Sequence, residues 1–109
     1  MILKNPNLKH LRACLAVATR QSISAAAEDV FMSQPAVTQA VAKVERLLNV
    51  DLFDRRPEGV FTTEAGRIFV RRVERMQQYL VQGTAEIMRS AKRNRRHMVK
   101  LYQLVTGVQ

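Results

Sequence analysis

From Glu64 to Ala91 the sequence contains no proline, and Gly66, Phe69, Val73, Met76, Leu80, Gly83 and Ile87 recur at alternating three- and four-residue steps. That spacing predicts one long helix with a heptad-like apolar seam, roughly 40 Å from end to end. The whole chain has only 109 residues, and a chain of that size hides only about two thirds of the surface it exposes when unfolded. So small a domain cannot cover a stripe of that length. A second copy of the same helix is the simplest cover, with Phe69, Val73, Met76, Leu80, Gly83 and Ile87 as the dimerisation positions. The seam's two glycines weaken a strict coiled coil but permit close approach of helices. An intramolecular core along the same stripe is the competing reading.

The residues ahead of this helix must build their own core. Between Asn7 and Gln21, Leu8, Leu11, Leu15 and Ala18 fall at helical spacing, with Cys14 and Val17 beside them. Ser24 is a suitable N-cap for a short second helix, about Ala25 to Phe31, whose three alanines allow another helix to approach closely. After a break at Phe31-Met32-Ser33, a third helix runs from Gln34 to Leu48 with Ser33 as N-cap and Pro35 in the first turn, where its missing N–H costs nothing. Its apolar stripe is Val37, Ala40/Val41, Val44 and Leu47/Leu48. The period then changes to two: Val50, Leu52 and Asp54 alternate with Asp51 and Phe53, Pro57-Glu58-Gly59 supplies a turn, and Val60 to Thr62 returns. Thr63 caps the long helix. The expected fold is mainly α: a winged helix-turn-helix of three helices plus a two-stranded wing over 1–63 (the helix-turn-helix itself about 23–42). A linker and dimerisation helix follows over 64–91, and then a basic tail over 92–109.

Charge points to the partner. Eighteen Lys and Arg stand against nine Asp and Glu, a net charge of +9. Such a balance suits a nucleic-acid binder or a peripheral membrane protein. Aromatics make up 6% with no Trp, which argues against readers of single strands that work by stacking. A single cysteine, Cys14, excludes an internal disulfide or a multi-cysteine metal site, and its place on the apolar face of the first helix favours a buried structural thiol. His10 and His97 lie far apart with no carboxylate cluster around them, so no metal is expected. The acids are scattered and no glycine-rich phosphate loop exists, so no catalysis is expected either. No apolar run is long enough for a membrane span, and the N-terminus is too polar for a signal peptide. A cytoplasmic, reducing compartment is expected. The basic cluster Lys92, Arg93, Arg95 and Arg96 is best read as a solvated connector.

Helix, tight turn, helix, with small residues at the crossing, is the helix-turn-helix plan, in which the second helix presents polar side chains to base edges in the major groove. Gln34, Thr38 and Gln39 suit that role, since an amide pairs with adenine and threonine offers a hydroxyl together with a methyl for the thymine methyl. Lys43, a turn further on, reaches toward a phosphate. Ser24 and Ser33, at helix starts, suit phosphate oxygens. Arg55 and Arg56 stand where a wing meets the backbone and the minor groove. Taken singly, each of these residues also fits a capped, solvated surface helix or turn; the arrangement carries the argument.

The stretch SISAAAEDVFMSQPAVTQAVAKVERLLNVDLFDRRPEGVFTTEAG resembles the N-terminal DNA-binding domain of LysR-type transcriptional regulators. The matching segments are the paired alanines after Ser24, SQPAVTQ, VERLLNVDLFDR and TTEAG, in order and at the family's spacing, and the likeness extends over about Asn7 to Ala91. The resemblance implies a bacterial transcription regulator that binds double-stranded DNA as a homodimer through its linker helix. It places Ser33, Gln34, Pro35, Thr38 and Gln39 at the major groove and Arg55 on the wing. One departure concerns Gln39, where the family often has arginine; losing that cation alters the base or phosphate contact made there. The family usually carries a C-terminal domain that senses a small co-inducer. No such domain is expected here, nor any cofactor, and the expectation is a fragment of a longer regulator. Two other classes compete. A helix-turn-helix used only for protein assembly accounts for the long seam, and a basic membrane-surface helix accounts for Arg67, Arg71, Arg72 and Arg75 but for little else.

Overall fold

In the computed structural model, residues 8–91, 100 and 103–107 are described. The chain divides into two compact units, Met1–Val73 and Glu74–Gln109. The first holds α1 (Leu8–Arg20), α2 (Ile23–Val30), α3 (Gln34–Leu48), β1 (Phe53–Arg56), β2 (Gly59–Thr62) and the start of α4, which runs Glu64–Ala91. The order and type of these elements are those of a winged helix-turn-helix with a long following helix.

Each junction has a local cause. Gln21 ends α1 in the left-handed region (φ 53°), its N–H bonding Val17 O at 2.8 Å. The extended Ser22 then caps α2, its hydroxyl accepting from Ala25 N. Phe31 is again left-handed (φ 55°); its N–H reaches Glu28 O while Met32 N–H reaches Ala27 O, a Schellman closure. Ser33 turns the chain at once into α3 by accepting from Ala36 N at 3.1 Å, with Pro35 in the first turn. The Phe31-Met32-Ser33 break is therefore a helix stop joined directly to a helix start.

α1 packs on both α2 and α3. The core is Leu11, Cys14 and Val17 of α1, Ala26 and Ala27 of α2, and Val37, Ala40, Val41 and Val44 of α3, closed by Leu52, Phe53 and Val60. Burying each valine contributes about 2 kcal/mol relative to leaving it in water. Ala26 and Ala27 let α2 approach its neighbours without a bulky spacer. The hairpin pairs antiparallel, Phe53 with Thr62 through Arg56 with Gly59, with Pro57 and Glu58 at the turn. Val60 N–H bonds Gln21 O at 3.1 Å, fastening the wing to the end of α1.

Several expectations need correction. α2 starts at Ile23 and its cap is Ser22, so Ser24 lies in the first turn, its hydroxyl 3.1 Å from that of Ser22. In α1 the buried centre is Leu11, Ala13, Cys14 and Val17, while Leu15 and Ala18 are half-buried. Leu47 of the α3 stripe is exposed. The period-two reading of the wing also fails: Val50 is exposed, and Leu52 and Phe53 are both buried. Leu52 belongs to the connector, where the Glu45 carboxylate accepts from its N–H at 2.7 Å and from Phe53 N–H at 3.3 Å. That tertiary bond, rather than strand alternation, turns Leu52 inward.

Along α4 the seam is unevenly covered. Gly66 is buried and Val73 is 6% exposed, so these two seam positions are covered by the chain itself. Phe69 and Met76 are half-buried. Leu80 and Ile87 are 39% and 51% exposed, and nothing lies within 4 Å of a Cβ built on Gly83. In the second unit Thr84 and Val105 are buried, and the Thr84 hydroxyl donates to Leu80 O. The basic cluster Lys92, Arg93, Arg95 and Arg96 lies outside the described residues, as does His97.

Cys14 is fully buried, and its thiol is pushed up to about 12, mainly by burial and secondarily by the Glu45 charge. At about pH 8 the folded chain should resist thiol alkylation and become reactive only on unfolding. Kinetics of alkylation with and without denaturant check this; rapid labelling of the native chain would contradict the burial.

Candidate nucleic-acid interface

α3 divides cleanly between two faces. Val37, Ala40, Val41 and Val44 point into the core, while Gln34, Pro35, Gln39 and Lys43 are exposed and Thr38 is half-buried. Gln34 and Thr38 stand one helical turn apart, as do Gln39 and Lys43, so the two pairs lie along opposite flanks of the face that is turned away from the buried valines. Ser33 is exposed with its hydroxyl engaged as cap, and Ser24 is exposed in the first turn of α2. The residues expected at the major groove therefore all lie on α3 or its cap, outside its buried stripe.

The wing arginines part company. Arg56 lies 5.0 Å from the centre of the Phe61 ring, and its Nε bonds Asp54 Oδ2 at 2.9 Å. Asp54 and Phe61 are paired across the hairpin, so one face holds Arg56 down along its own strands. Arg55 shares the other register face with Phe53 and is exposed. Both arginines are exposed, and among the described residues Arg55 makes no side-chain hydrogen bond, ion pair or ring contact, whereas Arg56 is engaged. Arg20 and Asp29 pair at 2.8 Å between α1 and α2, an exposed bridge of about 0–1 kcal/mol.

These features match a known architecture. The family model described as bacterial regulatory helix-turn-helix protein, lysR family, covers residues 8–67. The chain belongs to that family. LysR-family relatives include the probable RuBisCO transcriptional regulator of Cyanophora paradoxa, 40% identical over 65 residues, which are 60% of this chain and 20% of the relative. Among solved structures, BenM_DBD in its catB site 1 DNA complex aligns with a TM-score of 0.76 at 27% identity, covering 82% of this chain and 100% of that one. The CbnR_DBD–DNA complex aligns at 0.69 with 30% identity, covering 81% and 100%. The chain spans about a quarter or less of the length of several curated LysR-family relatives.

Sequence reasoning missed one feature of this surface. A groove of about 420 Å³ runs between the start of α1 and the flank of α3, lined by Lys9, His10, Met32, Gln39, Lys43 and Arg46 among others. Its lining includes three strong cations and no carboxylate. Lys9 and Arg46 lie too far apart in sequence for any spacing rule to pair them; only the packing of α1 on α3 does so. His10 is half-buried there, and its pKa is held below the usual 6.5 by burial first, then by the Lys43 and Lys9 charges. Among the described residues no group of three or more His, Cys, Asp or Glu is placed to hold a metal, and no helix is long and apolar enough to cross a membrane.

Proposed function

We propose that this chain binds double-stranded DNA sequence-specifically as a homodimer, as the DNA-binding part of a bacterial LysR-type transcription regulator acting in the cytoplasm. The observation that carries the reading is the polar, solvent-facing side of α3, with Gln34, Thr38 and Gln39, on a helix anchored by the buried row Val37, Ala40, Val41 and Val44. In this reading α3 enters the major groove. Gln34 and Gln39 present amides to adenine, and Thr38 presents its hydroxyl and methyl. Ser24, Ser33 and Lys43 contact phosphates, and Arg55 extends the wing to the backbone or minor groove. Arg56, tied to Asp54 and Phe61, stiffens the hairpin more than it reads DNA. Phosphate contacts supply most of the affinity, in keeping with the net charge of +9.

Residues 1–63 form the reading head and 64–91 the dimerisation helix. The exposed Leu80 and Ile87 and the open space at Gly83 support an antiparallel pairing with a second α4. Phe69, Val73 and Met76 complete the seam, although Val73 is already covered by its own chain.

Selection of bound sites from random duplexes tests the reading, with two spaced half-sites as the expected result. Gln34→Ala should cost about 1–3 kcal/mol on the selected site and little on random DNA. Arg55→Ala should weaken both and lower the salt slope by about 1. Absence of salt-dependent duplex binding at physiological ionic strength would leave the assembly reading instead.

A further inference from the structure

A helix in the major groove has a row of phosphates along each flank. On the α1-facing flank of α3 the protein presents the groove bounded by Lys9, Gln39, Lys43 and Arg46, with His10 and Met32 lining it. Gln39, one of the proposed base readers, and Lys43 one turn on lie on the flank of α3 that lines the groove, so DNA contacting Gln39 also borders it. Among the described residues, the charged groups that line the groove with His10 are cationic: Lys9 from α1, and Lys43 and Arg46 from α3. The three cations repel one another, and burial with the Lys43 and Lys9 charges opposes a proton added to the half-buried imidazole. An anion entering the groove relieves both repulsions at once.

We propose that this groove receives a backbone phosphate of the bound duplex, held by Lys9, Lys43 and Arg46, and that His10 takes up a proton when it does. The inference rests on the DNA-binding reading and adds Lys9, Arg46 and His10 to it. In the free protein, burial and the two lysines hold His10 below its usual pKa of 6.5. A phosphate favours the imidazolium and raises that value on binding. Between the free and bound pKa values the complex therefore carries a proton that the free protein lacks. Binding tightens as pH falls through that window and is flat above it. The proton comes from solvent and no bond other than N–H forms.

The test uses the full chain and a selected duplex, with binding followed by fluorescence anisotropy. Lys9→Ala and Arg46→Ala should each weaken duplex binding, and the two together should lower the salt slope by up to about 0.9, the share of one phosphate. The wild type should bind roughly threefold to tenfold tighter at about pH 5.5 than at about pH 8. His10→Gln should keep the affinity at the higher pH within about twofold and abolish the tightening. Titration of the His10 ring by NMR, with and without duplex, should show a higher pKa in the complex; this decides the proton uptake even if His10→Gln folds poorly. Unchanged slopes, a tightening that survives His10→Gln, or a His10 pKa unmoved by DNA would each overturn the proposal. If the wild type binds no duplex, the DNA-binding reading itself has failed. If it binds with a Gln34-dependent preference while these outcomes are negative, only the groove is misassigned.

Discussion

Gly66→Ala lowers the stability of the N-terminal unit by about 3 kcal/mol or more, a large part of what a domain of this size has. A Cβ built on Gly66 overlaps the Leu52 carbonyl oxygen and comes within 3.0 Å of the Leu52 carbonyl carbon and 3.3 Å of Thr62 Cβ. Two of these neighbours are backbone atoms, which cannot turn aside as a side chain can. They are also held firmly: Leu52 O accepts from Thr63 N at 3.0 Å, and Leu52 N donates to Glu45. Thr63 in turn donates its hydroxyl to Asp51 O and accepts from Gly66 N. To admit one methyl group, either the first turn of α4 must lift or the connector must tear from both partners. Thermal unfolding followed by circular dichroism should show a midpoint lower by on the order of 15 °C. A variant within about 0.5 kcal/mol of wild type would mean that the α4 start has slack the packing does not suggest.

That same knot separates what is legible in the sequence from what is not. The starts of α3 and α4 can be read directly, because Ser33 with Pro35 and Thr63 with the proline-free run are local signals. The start of α2 cannot, because Ser22 and Ser24 both suit an N-cap and the choice depends on Gln21 closing α1 in a left-handed turn without a glycine to announce it. The inward face of the wing defeats a period-two reading because Leu52 is turned by a side chain seven residues earlier, a bond that no alternation rule contains. Along α4 the pattern does not distinguish an internal contact from one between copies. The chain itself covers Gly66 and Val73 and leaves Leu80 and Ile87 exposed.

The candidate site divides in a similar way. Gln34, Thr38 and Gln39 are readable because one helix keeps all three off its buried stripe, and helical geometry follows from sequence. Arg55 and Arg56 are adjacent letters with identical expectations. Strand register and the Phe61 ring give them different partners, and only pairing the two strands shows it. The Lys9–Arg46 groove is further still from the sequence, since it exists only where two helices distant in the chain are brought side by side.

Glu45→Ala should cost about 3 kcal/mol, and Glu45→Gln about 1–2 kcal/mol. The carboxylate accepts from two successive backbone N–H groups, Leu52 and Phe53, in a part-buried connector. Alanine leaves both donors without that acceptor, whereas glutamine restores one carbonyl oxygen but not the charge. The difference between the two variants therefore separates loss of the acceptor from loss of charge assistance. Denaturant unfolding measures both, and equal costs would mean that the amide cannot take up the carboxylate's geometry. The consequence for function is selective. Leu52 and Phe53 lead directly into β1, so releasing them loosens the strand that carries Arg55 while α3 keeps its own cap at Ser33. At temperatures where Glu45→Ala remains folded, its duplex binding should lose the part of the salt slope that Arg55 supplies and keep the base preference that depends on Gln34. Loss of that preference as well would show that the connector positions the reading helix, and the division of labour between wing and helix would have to be redrawn.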